Sequence, residues 1–536
     1  MLSQRLLHLG VLPAGRRFRT GLSHLEHTQR FRHRQLMRQV AASPAGREQG
    51  IGENWSWERF AERLPVTGYE DWRARVEQGR RDGVNPLIAS PTARYQPTSG
   101  STSAIKWIPY SRAFLGELDG AIGPWLADLY QRYPKLRHGR HYWSLSWMPT
   151  ALRESLGEEL NDDLALMSWG KRLIAGATQS VPSTVALART SDDSLFATLA
   201  YLVADRRLSL LSVWSPTFGI GLLEGLAKWR EELAEVLNQG DWGLRRAAMA
   251  ESGCPRCPRA AALLGAWDGE LAADFFRVLW PALALVSAWD TAASEPWARR
   301  LQSLLPHAEF QGKGLWATEG VVTFPCQGRY PLAYRSHVYE FQDPDDGAIY
   351  APWELEAGQR VMPLLSTGSG LLRYRLNDLV EVTEHWRTVP CLRFLGRRGT
   401  VDLVGEKMTG EAVNDAFARA PLPPGVTPVG VVACDDAGYG KPGYLALLEG
   451  SPQTPVAPLA EHLEQALGGH FHYRLARNLH QLAPLRCVVL ADMRERYLGH
   501  CRDQGMIEGN IKIESLRAWP GTAPAFLAPS ASPVSV

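Results

Sequence analysis

Helical and strand-like segments alternate along most of this chain, and that alternation restricts it to an α/β architecture. At 536 residues it exceeds what one core usually organises, so at least two domains are expected. Residues 221–239, GLLEGLAKWREELAEVLNQ, set Leu222, Leu223, Leu226, Trp229, Leu233 and Leu237 along one stripe, the pattern of a single core-packing helix. After residue 361 the texture changes to RVMPLLS, LLRYRL, LVEVT and CLRFLG, short runs separated by turn residues that predict small antiparallel sheets. The Gly/Arg-rich stretch GRRGTVDLVGEK at 396–407 reads as a junction between a large domain, 1–396, and a small one, 397–536. Beyond it PVGVVACD and GYLALLEG read as strands, LAEHLEQAL as a helix and LRCVVLAD as a strand, a compact α+β set. The uncharged, Pro, Ala and Ser-rich tail after Arg517 is expected to be mobile.

Composition narrows the function classes. With 58 Lys plus Arg against 56 Asp plus Glu, the net charge of +2 gives no electrostatic reason for a nucleic-acid or membrane-surface protein. The run VLWPALALVSAW, 278–289, is too short to span a bilayer and predicts a core element. Seven scattered Cys are no disulfide framework, so a reducing cytoplasm is the expected setting. Cys254 and Cys257 form a lone CxxC without the second ligand pair of a structural zinc site, and read as a loop. The first forty residues hold eight Arg and one Glu, but LSHLEHTQRFRHRQLMRQV has the spacing of an amphipathic helix with a solvated basic face. His24 and His27 on it lack a third ligand and read as surface residues.

The stretch TSGSTSAIK carries chemistry. A phosphate-binding loop needs hydroxyls and free N–H groups turned inward, a small residue for close approach, and a cation. Thr98, Ser99, Ser101, Thr102 and Ser103, with Gly100 and Lys106, supply these. The Walker spacing is absent, and Ser/Thr-rich loops are usually only turns. Company downstream strengthens the reading. GKGLWATEG, 312–320, ends a predicted strand with Thr318 and Glu319, a hydroxyl to touch phosphate and a carboxylate able to hold Mg²⁺ between phosphate oxygens. LLRYRLNDLVEV, 371–382, sets Asp378 in a predicted turn, where a carboxylate can accept both ribose hydroxyls.

In this order the four segments TSGSTSAIK, GKGLWATEG, LLRYRLNDLVEV and FLGRRGTVDLVGEK resemble the adenylate-forming superfamily. They are most similar to its auxin-responsive acyl acid amido synthetases and their bacterial relatives. The similarity extends through SWERFAERLPVTGYEDWRARVE, SLLSVWSPTFGIGLLEGL, VYEF, HYRLARN and GNIKIESL, covering nearly the whole chain. It implies a large N-terminal domain of two sheets and a small β-barrel, then a mobile α+β lid. It implies ATP and Mg²⁺ as cofactors and a carboxylic acid and an amine, an amino acid, as substrates, handled by a monomer. Carried over, Thr98, Ser99, Gly100, Ser101, Thr102 and Lys106 would surround the triphosphate, Thr318 would contact the α-phosphate, and Glu319 would hold Mg²⁺. Asp378 would anchor the ribose, Trp316 would offer an adenine-stacking face, Arg397 would mark the hinge, and Lys512 would be the lid cation brought to the α-phosphate. Ser103 and Ala104 replace the usual loop Gly, a departure that would loosen the grip on triphosphate.

The implied reaction is a two-step ligation through an acyl-adenylate. Trp143, Trp147 and Met148 are candidates to line an apolar pocket for an aromatic or cyclic acid. The alternatives are a thioester-forming ligase with coenzyme A or a carrier thiol as acceptor, and a catalytically silent nucleotide-binding homologue. Retention of Lys106, Thr318, Glu319 and Asp378 together argues against the last.

Overall fold

The structure is a computed structural model describing residues 2–98, 106–144, 147, 176, 178–404, 406–437, 440–504, 506, 509, 511–522 and 524–527. The chain divides into two compact units: Met1–Asp290, Trp297–Phe394 and Ile507–Asn510 form the larger, and Thr291–Pro296, Leu395–Met506 and Ile511–Val536 the smaller.

In the larger unit the basic N-terminal segment folds as helices Leu2–Thr20 and Leu25–Ala41, with His24 and His27 exposed. The second helix also turns a polar residue inward. Gln29 donates to the carbonyls of Tyr334 (2.7 Å) and His337 (2.9 Å) and accepts from the Tyr339 N–H (3.0 Å), so its buried amide is satisfied by the chain it packs on.

Strands β1 (Thr92–Pro97) and β2 (Trp107–Ser111) form an antiparallel hairpin. Ser111 then caps the helix Arg112–Arg132 by accepting the Phe114 N–H at 3.1 Å. Every residue from 121 to 130 is buried, so this helix crosses the interior rather than lying on it. It meets the first helix closely: a Cβ on Gly15 would stand 2.6 Å from the Ala127 Cβ.

Strands β3 (Arg140–Trp143), β4 (Leu208–Ser212), β5 (Leu285–Ala288) and β6 (Glu309–Gly312) pair in that order, all parallel. β4 and β5 are buried throughout, as parallel strands covered on both faces must be. The apolar run 278–289 is the end of a helix, a turn and β5 rather than one element. The stripe 221–239 is likewise two helices, Pro216–Lys228 and Arg230–Gln239, with Trp229 between them at φ −108°, ψ 18°. The Trp229 ring folds back on Gly225, within 3.2 Å of where a Cβ would be, and against Phe196, which turns the chain while keeping the stripe buried.

A short hairpin follows, β7 (Trp316–Ala317) with β8 (Gly320–Val321). Then come β9 (Val338–Gln342), β10 (Ile349–Tyr350), β11 (Arg360–Ser366), β12 (Tyr374–Arg375), β13 (Asp378–Trp386) and β14 (Val389–Arg397). They make a six-stranded sheet in the order β10-β9-β11-β13-β14, with β12 on β11. Of the segment LLRYRL only Tyr374–Arg375 is strand.

The smaller unit opens with β15 (Thr400–Val401) against β16 (Met408–Thr409). Glu406, buried between them, accepts the N–H groups of Leu403 (2.9 Å) and Val404 (2.8 Å) and the Tyr444 hydroxyl. Strands β17 (Thr427–Asp436), β18 (Gly443–Glu449), β19 (Arg486–Leu490) and β20 (Leu516–Thr522) order as β19-β18-β17-β20. The expected mobile tail is corrected here: residues through Thr522 form β20, parallel to β17, because β17 offers an edge that backbone pairing satisfies despite the weak apolar content. Residues 528–536 lie outside the described ones.

Candidate active site

The β1–β2 hairpin carries the Ser/Thr-rich stretch. Pro97 pairs with Trp107, and the Thr98 N–H closes on the Lys106 carbonyl at 2.9 Å. Residues 99–105 join the strands; they, and with them Ser99, Gly100, Ser101 and Thr102, lie outside the described residues. Lys106 is half-buried at the hairpin mouth, its ammonium 5.9 Å from the centroid of the Tyr69 ring. The Tyr69 hydroxyl accepts the Trp107 N–H (2.8 Å) and donates to the Trp107 carbonyl (3.4 Å). Burial raises its pKa, which keeps that proton on the donor.

Half-buried Thr318 and buried Glu319 are the two loop residues of the β7–β8 hairpin, so one tight turn carries both. Tyr110, on β2, donates to the Thr318 carbonyl at 3.0 Å; Tyr374, on β12, donates to Glu319 Oε1 at 3.1 Å. Gly320 must be glycine: a Cβ there would come 2.6 Å from Leu365 Cδ2 and 2.9 Å from His337 Nε2. His337 Nε2 accepts the Val321 N–H (3.2 Å), which places the ring proton on Nδ1, donated to Glu117 Oε2 at 2.7 Å. The same carboxylate oxygen takes the Gly368 N–H at 2.8 Å. The turn is thus braced from beneath by a buried polar chain.

Asp378 does not sit in a turn, as its sequence context suggests. It is the first residue of β13 and 8 % exposed, while Asn377 before it takes the left-handed conformation at φ 62°. Asn tolerates that conformation and so absorbs the turn, leaving its neighbour extended. Upstream, Thr67 exchanges backbone hydrogen bonds with Arg373 and Arg375, 3.0 Å each, strapping the segment VTGYEDW beside β12. Arg373 holds both oxygens of Glu340 at 2.8 and 2.9 Å and also donates to the carbonyls of Ala61 and Leu64. Burial pushes the Glu340 carboxyl above the usual range, and the guanidinium works against that shift.

Tyr69, Tyr110 and Tyr374 therefore link the loop hairpin, the Thr-Glu turn and the strand pair before Asp378 into one region of the larger unit. None of the three is conspicuous in the sequence, where an aromatic beside a motif reads as core; the fold alone shows their hydroxyls turned to the site. Trp316 is 8 % exposed, its N–H on the Lys313 carbonyl (3.0 Å) and its ring against Trp125 and Trp214. Trp143 is buried, Trp147 donates to the Ala188 carbonyl at 2.9 Å, and Met148 lies outside the described residues. Arg397 and Lys512 belong to the smaller unit: Arg397 is the exposed last residue of β14, and Lys512 is exposed between buried Ile511 and Ile513.

Among the described residues no group of three or more His, Cys, Asp or Glu is arranged to hold a metal ion, and no helix is long and apolar enough to cross a membrane. Mg²⁺ needs no such cage, since it is commonly bound through one or two carboxylates plus substrate phosphates, and a single fixed Glu319 fits that donor set. Burial pushes the Cys254 thiol up to about 11, in keeping with an unreactive loop cysteine.

The α/β scaffold and the proteins it is similar to make this chain an AMP-forming ligase of the adenylate-forming class. Residues 15–310 match the GH3 family N-terminal domain and residues 330–397 the GH3 family central domain, so the chain belongs to the GH3 family. It is 22 % identical over 442 residues, 69 % of either chain, to a probable indole-3-acetic acid-amido synthetase GH3.12 of Oryza sativa subsp. japonica. Its fold is similar to that of the GH3.15 acyl acid amido synthetase, with a TM-score of 0.76, 16 % identity and 92 % of either chain covered. The 2,4-DB complex of AtGH3.15 gives 0.78 at 15 % identity, covering 94 % of this chain and 93 % of that one.

Proposed function

We propose that this protein activates a carboxylic acid with ATP and joins it to the amino group of an amino acid. In the first step a carboxylate oxygen bonds to the α-phosphorus, the bond from the α-phosphorus to the bridging oxygen breaks, and pyrophosphate leaves. In the second the amine nitrogen bonds to the acyl carbon, AMP departs with the bond electrons, and the amine gives up a proton. The observation that carries this reading is the linkage of the loop hairpin to the Thr-Glu turn through Tyr110, with Tyr374 bringing in the strand pair that leads to Asp378.

Thr98, the loop residues Ser99 to Thr102 and Lys106 hold the triphosphate, Thr318 orients the α-phosphate, and Asp378 takes the ribose hydroxyls. Glu319 is the protein ligand for Mg²⁺, which when bound supplies positive charge to the phosphate oxygens. Lys512 reaches the α-phosphate in the first step and withdraws for the second by rotation about the junction at Arg397, which admits the amine.

Acid-dependent exchange of labelled pyrophosphate into ATP, across a panel of carboxylic acids, tests the first step. ADP and phosphate as products would remove the adenylate. The second step is read by product mass after adding either mixed amino acids or coenzyme A: a stable amide is expected, and an acyl thioester formed without amide would replace this reading by the thioester ligase.

A further inference from the structure

We propose that Glu117 and His337 are positioning residues: through one carboxylate oxygen they hold the Thr-Glu turn and the turn before β12 in fixed relation, and with them the Mg²⁺ ligand Glu319 and the ribose anchor Asp378. The proposal rests on the adenylating reading above and names residues that set the geometry of its nucleotide site.

The turn that carries Thr318 and Glu319 has little to hold it from within. β7 and β8 are two residues each and form a two-stranded sheet of their own. A two-stranded hairpin is marginal in water even when its strands are longer, so side chains from elsewhere set its place. Besides the tyrosine hydroxyls on Thr318 and Glu319, side chains take both backbone groups of Val321. Its N–H goes to His337 Nε2 at 3.2 Å, and its carbonyl accepts the Tyr339 hydroxyl at 2.7 Å.

The His337 side chain is fully buried. The Phe114 ring stacks on it, with 5.4 Å between centroids and 15° between planes. A Cβ on Gly320 would stand 2.9 Å from its Nε2 and 3.0 Å from its Cδ2, so the imidazole lies directly against the backbone next to Glu319. Because Nε2 accepts, Nδ1 carries the proton and donates it to Glu117 Oε2 at 2.7 Å. Phe114 and Glu117 are three residues apart on the helix Arg112–Arg132, so one helix face supplies both the stacking ring and the carboxylate.

Glu117 Oε2 also accepts the Gly368 N–H at 2.8 Å. Gly368 lies in the turn between β11 and β12, which packs on the start of the same helix: a Cβ on Gly368 would stand 2.7 Å from the Phe114 backbone nitrogen. The Gly368 carbonyl accepts the hydroxyl of Ser111, the last residue of β2. Downstream of this turn come Tyr374, which donates to Glu319, and Asp378. A single acceptor atom thus joins the Thr-Glu turn to the segment that leads to Asp378, and a charged acceptor makes both bonds strong.

The test is calorimetric titration of the full chain with a non-hydrolysable ATP analogue over a range of Mg²⁺ concentrations, reading the concentration at which the gain in affinity is half complete. His337→Gln keeps an acceptor where Nε2 stands, within reach of the Val321 N–H, whereas His337→Asn keeps only a donor where Nδ1 stands. His337→Asn is expected to raise the half-point at least tenfold and His337→Gln no more than threefold. Affinity without Mg²⁺ should stay within twofold of wild type in both, because His337 reaches the Thr-Glu turn alone. Glu117→Ala, which frees both turns, should raise the half-point at least fivefold and also weaken Mg²⁺-free binding at least threefold. Half-points within twofold of wild type in His337→Asn and Glu117→Ala overturn the proposal. Equal rises in His337→Asn and His337→Gln overturn it as well, since the ring would then be a packing element only, and so does a wild-type affinity that does not respond to Mg²⁺. Should either His337 variant fail to fold, Glu117→Ala alone decides. Pyrophosphate exchange in the wild type with unshifted half-points in the variants removes this inference and leaves the proposed function standing. Absence of exchange with any acid removes the proposed function, while the Mg²⁺ titration still reports on Glu117 and His337.

Discussion

At the scale of single residues, the proposed function assigns Asp378 to holding nucleotide and Lys512 to the reaction itself, and the two assignments are tested separately. Asp378 is the buried first residue of β13 in the larger unit. Asp378→Ala should weaken binding of ATP by the 1.5–3 kcal/mol typical of hydrogen bonds to a charged group, about tenfold or more by calorimetry. Lys512→Ala should leave that affinity near the wild-type value and slow acyl-adenylate formation in single turnover, because a lid cation acts mainly on the transition state. An unchanged adenylation rate would show that Lys512 is not the lid cation.

At the scale of elements, the turn that presents Thr318 and Glu319 owes its position to neighbours far away in sequence. β12 supplies the Tyr374 hydroxyl, and the residue before it, Arg373, sits at φ 47° with its guanidinium buried against Glu340. A non-glycine residue holds the left-handed conformation at a cost, offset here by the ion pair and two carbonyl acceptors. Arg373→Met should lower stability by about 3–5 kcal/mol, since it strands the Glu340 carboxylate in the interior. A urea midpoint within error of wild type would contradict that. If the larger unit stays folded, the same variant should raise the Mg²⁺ concentration needed for exchange, as Tyr374 loosens from Glu319.

At the scale of the whole molecule, two buried histidines make stability depend on pH. Burial pulls the rings of His33 and His141 from 6.5 down to about 4. Above 6.5 both are neutral, folded or unfolded, and contribute no pH dependence. As pH falls below 6.5 the unfolded chain takes up a proton at each ring that the folded chain refuses until about 4, so stability is lost across that window. At pH 5 the loss is about 2 kcal/mol per ring. Urea unfolding of the larger unit at pH 7 and pH 5, followed by tryptophan fluorescence, should show the midpoint fall, and His33→Gln should flatten the dependence. A midpoint equal at the two pH values would mean neither ring is held neutral.

The α/β class is legible in the sequence because it follows from local periodicity, and the Ser/Thr stretch, the Thr-Glu pair and Asp378 stand out there as short runs of chemically matched residues whose roles belong to the proposed function. What the sequence leaves open is set by contacts between distant segments. It offers six leucines and tryptophans in one helical stripe, yet the Trp229 ring turning back on Gly225 breaks that stripe into two helices. An uncharged tail reads as mobile until β17 presents an edge for it to pair with. Asp378 passes from turn to strand because Asn377 absorbs the left-handed conformation. The indole of Trp316 is evident at once, but its face is decided by Trp125 and Trp214, from a helix and a strand end far along the chain. Lys313 appears in the sequence as one more lysine between glycines. Only the tertiary structure sets it over Ser212 and among three tryptophans, because strand pairing aligns residues that no local rule relates.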